Sequence, residues 1–239
     1  MKARSVLVAV LAVSGISPAW AGGAIGAVIP PANLPEQIVQ EVTSVSKLAK
    51  QAESVEEQIQ EVENQVTNMV DMPMSLYHSL TAPIGQLINV VNQAQGLAYA
   101  AQNIPGEFES EYGQGASELL PQGYSESLQQ WTQNEHQATE TVLQKFGMTT
   151  NDFANTQAAL QTLTSASQSA SGRKAVLQAA NQIAAMQVEQ IQSLQSTVMS
   201  GLTPLYNYYN NRSSEQLKEQ QSIQGWLKGA GNTTGQNLM

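Results

Sequence analysis

The fold of this chain is decided by residues 34–69, LPEQIVQEVTSVSKLAKQAESVEEQIQEVENQVTNM. Apolar residues recur along this stretch at steps of three or four: Ile38, Val42, Val45, Ala49, Ala52, Val55, Ile59, Val62, Val66 and Met69. This spacing places them on one face of an α-helix and resembles the seam of a coiled coil. Asn33 and Glu36 form a capping-box pair, and Pro73 lies beyond the ladder, so we expect a long helix over residues 35–71.

A second ladder of the same kind lies near the other end of the chain. It consists of Leu177, Ala180, Ala184, Gln187, Ile191, Leu194 and Val198, at alternating steps of three and four. We expect a helix over residues 173–201, which Gly201 and Pro204 end or kink. Two long helices at opposite ends of a chain can pair antiparallel, and no segment shows the alternation of a strand. The sequence therefore predicts an all-α protein.

Shorter helices are predicted between the two ladders. One restarts at Thr81 and Pro83 and runs out before Pro105, and residues 106–124 form an irregular stretch rich in Gly and Glu. Another runs from about Ser125 to Phe146, and the next is capped by a residue between 150 and 152. Together, residues 35–228 are predicted to form a single elongated helical domain, followed by a flexible tail over residues 229–239.

The first 21 residues have the layout of a secretory signal peptide. Lys2 and Arg4 precede a short apolar run, helix breakers follow it, and Ala19-Trp20-Ala21 provides an A-x-A site. We expect cleavage between Ala21 and Gly22, followed by an extended Gly/Pro-rich lead over residues 22–34. The apolar run is too short to span a bilayer, and no later stretch is long enough. We therefore expect the protein to be secreted across the inner membrane and to act outside the cytoplasm.

The composition indicates which partners are disfavoured and what must stabilise the fold. The chain has no Cys and 31 Gln, and removal of the signal peptide leaves 8 basic against 19 acidic residues, a net charge of −11. So negative a surface repels nucleic acid and anionic lipid. Without disulfides, stability must come from burial, and few aromatic residues favour narrow helical seams over a thick core.

The sequence offers no constellation for catalysis, a cofactor or a metal. His78 and His136 are the only histidines, lie on separate segments and have no Cys beside them, which favours two solvated surface residues. Ser171-Gly-Arg-Lys174 matches S-x-x-K, but the K-T-G and S-D-N motifs that accompany it in penicillin-binding enzymes are absent. We therefore predict a protein without enzymatic activity, cofactor or metal.

One cluster of side chains suggests a binding surface. Tyr206, Tyr208 and Tyr209 follow Pro204 within four positions of one another. Tyrosine combines a large rigid ring with a polar tip and is enriched at interfaces. The alternative is that these rings close the end of the bundle core, and the sequence favours neither interpretation.

Several segments resemble the TrbJ proteins of conjugative transfer, relatives of the minor pilin of type IV secretion systems. The similarity lies in the signal peptide, in the Gln-rich helix Glu56–Val66 and above all in Gly172–Leu194, with Leu177-Gln-Ala-Ala-Asn-Gln-Ile183 at its centre. The resemblance implies an elongated bundle of long antiparallel helices with a small appendage of shorter ones. It also implies a non-enzymatic subunit of a mating-pair-formation apparatus, located in the periplasm or on the pilus or cell surface, that acts in pilus assembly and cell contact.

The partners that the resemblance implies are other subunits of the apparatus, such as pilin and channel components, together with the recipient-cell surface and other copies of the chain. A periplasmic helical chaperone or holdase is the alternative function, and it would need an exposed groove for clients. A secreted hydrolase is a third hypothesis, which the missing catalytic motifs oppose.

Overall fold

The computed structural model describes residues 34–144, 149 and 153–232. The α-helices placed in full within these residues are α1 (Leu34–Val66), α2 (Met74–Tyr112), α3 (Tyr124–Gln144), α4 (Thr156–Ala166) and α5 (Ala170–Asn232), and a short 3-10 helix spans Gln114–Leu119. No described residue lies in a β-strand, so the all-α prediction is confirmed. The predicted signal peptide, its cleavage between Ala21 and Gly22, the lead up to residue 33 and the last seven residues lie outside the described part.

The long helices α1 and α5 pair antiparallel, as the two ladders predict. Gln192 Nε2 donates to Glu53 Oε1 at 3.1 Å, and Gln195 Nε2 donates to the Ser46 hydroxyl at 3.2 Å. Higher residue numbers in α5 therefore pair with lower residue numbers in α1, as in antiparallel helices. The whole second ladder is buried, and so is the first apart from half-buried Val42 and exposed Met69. Helix α2 lies antiparallel to α1 and contacts both, which gives a bundle of three long helices.

The shorter helices pack against the same bundle. Helix α3 runs antiparallel to α5, where the Trp131 indole N–H donates to the carbonyl of Gln190 at 2.6 Å. Asn155 caps α4 by accepting from the backbone N–H groups of Gln157 and Ala158, so the cap lies a few residues beyond the predicted 150–152.

The connection between α1 and α2 is shorter than predicted. Helix α1 ends at Val66 rather than at residue 71, and α2 begins at Met74 rather than at Thr81. Burial explains both differences: Met72 turns into the core between the helices, and Tyr77 and Leu80 extend the apolar face of α2 toward its start. Arg173 Nε and Lys174 Nζ, at the start of α5, donate to the carbonyls of Met72 and Met69 and so hold this loop.

Helix α2 also continues through Pro105, where the sequence predicted an end. The prediction of an irregular stretch over residues 106–124 was therefore wrong for residues 106–112, which are helical. Ala101, Ile104 and Phe108 are fully buried on one face of α2. Packing of that face outweighs the lost backbone hydrogen bond, which costs about 3 kcal/mol in an exposed helix. The helix ends one residue before Gly113, whose φ of 91° lies in the left-handed region that glycine adopts readily.

Helix α5 runs through both residues expected to end or kink it. Leu202 and Leu205, on either side of Pro204, are buried against the bundle, and the helix extends to Asn232, into the predicted flexible tail. Gly201 serves a different purpose from the one predicted. A Cβ atom at this position would lie 2.0 Å from the ring of Tyr124, whose hydroxyl donates to the carbonyl of Ala101 at 3.3 Å. Glycine is required here because α3 begins against the backbone of α5.

A layer of polar side chains lies between the two apolar clusters of the core, about halfway along the bundle. Glu135 on α3 is completely buried and accepts from Gln95 Nε2 at 2.9 Å, from the Thr139 hydroxyl at 2.9 Å and from Gln187 Nε2 at 3.1 Å. Gln187 is the one polar residue of the second ladder. On one side of this layer lies an apolar cluster around Ile191 and Trp131, and on the other a cluster around Ile183 and Leu143.

The close approach at Gly201 gives a stability prediction. Gly201→Ala should lower the free energy of unfolding by about 1–3 kcal/mol, because the added methyl group overlaps a buried ring. Gly96→Ala is the matched control, since that position lies within helix α2 of the bundle with nothing within 4 Å of an added Cβ. Both changes gain the same helix propensity, so urea denaturation of the two variants isolates the clash. Equal stabilities would contradict the packing described.

Candidate functional site

The described end of the bundle at which α1 begins carries a cluster of aromatic side chains, here called the aromatic cluster: Phe108 and Tyr112 on α2 and Tyr208 and Tyr209 on α5. The rings of Phe108 and Tyr112 have centroids 4.4 Å apart. Tyr208 meets Phe108 edge-on at 6.2 Å, and Tyr209 meets Tyr112 edge-on at 5.9 Å. These are the tilted geometries that the ring quadrupole favours.

Arg212 lies over the outer side of this cluster. Its guanidinium carbon is 6.0 Å from the centroid of the Tyr112 ring, and Nη1 donates to the Tyr208 hydroxyl at 3.1 Å. Burial raises the pKa of the Tyr112 hydroxyl, the charges of Tyr209 and Glu111 raise it further, and Arg212 lowers it. Tyr112 therefore stays neutral at physiological pH and presents a hydroxyl group that can donate or accept a hydrogen bond.

Beside the cluster, α1 and α5 enclose an open cleft of about 500 Å³. It is lined by Pro35, Glu36, Val39, Gln40, Tyr206, Tyr209 and Asn210. Val39 and the two rings supply apolar area, while Gln40 and Asn210 supply amide groups that can pair with a peptide backbone. This combination suits a bound polypeptide segment, because it offers apolar contact and hydrogen bonds without a reactive group.

The three predicted tyrosines lie at the end of the bundle core, which is one of the two interpretations that the sequence allowed. Tyr206, Tyr208 and Tyr209 are half-buried and pack against the core, so they close the end of the bundle. Their remaining surface faces the cleft or the outside. Their role in binding a partner stays a prediction.

One turn of α1 below the cleft lies a buried carboxyl group. Glu41 is only 8% exposed, and its Oε1 has no hydrogen-bond partner. Burial raises the pKa of Glu41 to about 7 from an ordinary value of 4.5. The pKa of the Tyr124 hydroxyl is raised by burial and also by the charge of Glu41. This buried carboxyl group is therefore mostly neutral below about pH 7.

Sequence inspection missed several members of the site. Phe108 and Tyr112 lie in the stretch that the sequence predicts to be irregular. If the preceding helix is continued through Pro105, the two residues are four positions apart and share one face. Arg212 and Val39 carry no local signal, because they reach the site only through the antiparallel pairing of α1 with α5.

The residues weighed for other chemistry lie apart. His78 is exposed on α2 and His136 is exposed on α3. Within the described ranges, no group of three or more His, Cys, Asp or Glu side chains could hold a metal ion. No described helix combines the length and apolar character needed to cross a membrane.

The raised pKa of Glu41 predicts a pH-dependent stability. The folded protein binds a proton more tightly than the unfolded chain, so the free energy of unfolding should fall as pH rises from about 4.5 to about 7 and change little above that. The difference between the two pKa values corresponds to at most about 3 kcal/mol. Glu41→Gln should remove this contribution, which urea denaturation at pH 5 and pH 8 would measure.

The control for this measurement is Glu57→Gln, on the exposed side of the same helix. It should keep the pH dependence of the parent protein. The same slope in the Glu41→Gln variant and in the parent would show that Glu41 does not titrate in this range.

Two curated relatives are similar to this chain over most of its length. The conjugal transfer protein TrbJ of Rhizobium radiobacter is 27% identical over 185 residues, which cover 75% of this chain and 67% of the relative. The probable conjugal transfer protein TrbJ of Sinorhizobium fredii is 24% identical over 184 residues, covering 75% and 68%. No protein-family model matches the chain, and no solved structure does. The chain is thus a distant homologue of TrbJ, and the resemblance noted in the sequence is confirmed.

Proposed function

We propose that this chain, as a distant homologue of the conjugal transfer protein TrbJ, is a non-enzymatic subunit of a conjugative type IV secretion apparatus. The observation that carries the proposal is the similarity to two TrbJ proteins over three quarters of the chain. The helical bundle supports it, because long packed helices with an open, unreactive cleft suit assembly better than catalysis.

In this proposal the protein acts outside the inner membrane, in the periplasm or on the pilus. The support is the layout of residues 1–21, with basic residues, a short apolar run and an A-x-A site before Gly22. A chain without Cys would also fold there without depending on disulfide formation. Its role would be in pilus assembly and in cell contact during DNA transfer.

The cleft and the aromatic cluster are the proposed contact surface for another subunit, such as a pilin or a channel component. Half-exposed tyrosines backed by a packed core contribute large contact area at low conformational cost. The negative net charge of the chain disfavours DNA itself as the ligand.

Deletion of the gene from a donor strain tests the proposed role. Conjugation, counted as transconjugants per donor, should fall to background, while nicking of the transferred DNA in the donor should continue. The full chain supplied from a plasmid should restore transfer, and a chain lacking residues 1–21 should not. Normal transfer by the deletion strain would refute the role, and restoration by the shortened chain would refute export through this signal.

A single substitution tests the contact surface. Tyr206→Ser removes a ring from the cleft, and we expect it to lower transfer by about tenfold or more, as for a central interface residue. Tyr99→Ser is the matched control, because Tyr99 is an exposed tyrosine of α2 outside the cleft and the cluster. It should transfer normally. Equal transfer by the two variants, at equal protein levels and melting temperatures, would place the contact surface elsewhere.

A further inference from the structure

The last part of α5 extends beyond the bundle. From residue 211 onward the described side chains are exposed apart from half-buried Ser213, and they include four large apolar ones: Leu217, Ile223, Trp226 and Leu227. Residues 211–232 are called the α5 extension, and at 1.5 Å per residue they span about 30 Å. Large apolar side chains that are exposed together on one helix are a recognised mark of an interaction site.

The exposed face of the extension continues the buried face of α5. Buried Val198, Leu202 and Leu205 face the bundle. Steps of three or four residues lead from Leu205 along the same face through Tyr209, Ser213, Gln216 and Gln220 to Ile223 and Leu227. Helix α1 covers this face within the bundle, but α1 begins at Leu34, and Pro35 lies beside Tyr206 and Tyr209 in the cleft. The same face is therefore left without a described partner helix beyond that level.

The opposite end of the bundle carries a second exposed apolar surface. It is the loop tip, residues 67–74, where Met69, Val70 and Met74 are exposed and Val70 is 92% exposed. The loop is held in place, because Met72 is buried beneath it and Arg173 and Lys174 bind its carbonyl groups. Three apolar side chains are thus presented outward on a fixed backbone.

The two surfaces also have complementary charge. Residues 53–71 carry six acidic residues and no Lys or Arg: Glu53, Glu56, Glu57, Glu61, Glu63 and Asp71. Arg173 and Lys174, which donate to the loop carbonyls, bring two positive charges to this end, so four negative charges remain in excess among these residues. The extension carries three basic residues against two acidic ones, in a chain whose net charge is −9. Attraction between an acidic end and a mildly basic extension favours an oriented encounter.

From these observations we propose that the α5 extension of one copy of this chain docks on the loop tip of a second copy. Pairing of two extensions with each other fits less well, since it would bring like net charges together, bury Gln216 and Gln220 and leave the loop tip uncovered. The two surfaces lie at opposite ends of the bundle, so the contact repeats from copy to copy and builds a linear assembly. The inference is independent of the proposed role in conjugation.

The test uses the purified mature chain and two substitutions, Val70→Asp in the loop tip and Ile223→Asp in the extension. Both positions are exposed, so neither change should unfold the bundle, which circular dichroism would verify. Gln65→Asp and Asn207→Asp are the matched controls, since they place the same charge on exposed positions that lie near the two surfaces but outside them. Mass is measured by sedimentation velocity from about 1 to 100 μM, the range in which small specific interfaces dissociate.

We expect the parent chain and both controls to form species larger than dimers as concentration rises, and each Asp variant alone to stay monomeric. An equal mixture of the two Asp variants should form dimers and nothing larger, because only one intact extension and one intact loop tip remain per pair. A monomeric parent chain, assembly by either Asp variant alone or a mixture that stays monomeric would each overturn the proposal.

Discussion

The antiparallel pairing of α1 with α5 is the interaction on which the rest of the structure depends. Its seam is built from small and medium apolar residues, so the helices approach closely without large aromatic rings. Helices α2 and α3 then cover the remaining sides of α5. The ends of α1 also contribute to the two proposed contact surfaces: its first residues form one wall of the cleft, and its last turn leads into the loop tip.

The polar layer around Glu135 supplies specificity within this apolar seam. A buried carboxylate is costly unless its oxygens are hydrogen-bonded, and three donors from α2, α3 and α5 satisfy this one. Sliding α5 by one turn would remove Gln187 from the carboxylate and bring an apolar residue beside it. The layer therefore favours one register of the helices, as buried polar residues do in coiled coils.

The ladders predicted the fold correctly because almost all of their residues are buried along α1 and along the middle of α5. The errors lie at prolines and glycines. Pro105 and Pro204 were expected to end helices, but burial of Ile104, Phe108 and Leu205 outweighs the local cost, and local propensity carries no information about that packing. The site was predictable only in its three tyrosines. Apart from Asn210 and Arg212 on α5, its remaining members come from α1 and α2, and these meet α5 only through a tertiary pairing that spacing alone does not encode.

The position of the paired helices at the two ends of the chain affects the order of folding. Ser46 and Gln195, which bond across the seam, are 149 residues apart, so the central contacts have a very long sequence separation. Closing so long a loop is slow compared with forming the α1–α2 hairpin. A chain emerging from a ribosome or a translocase cannot complete its core until nearly all of it has emerged. Until then it stays without its final tertiary structure, which is the condition that threading through a narrow export channel requires.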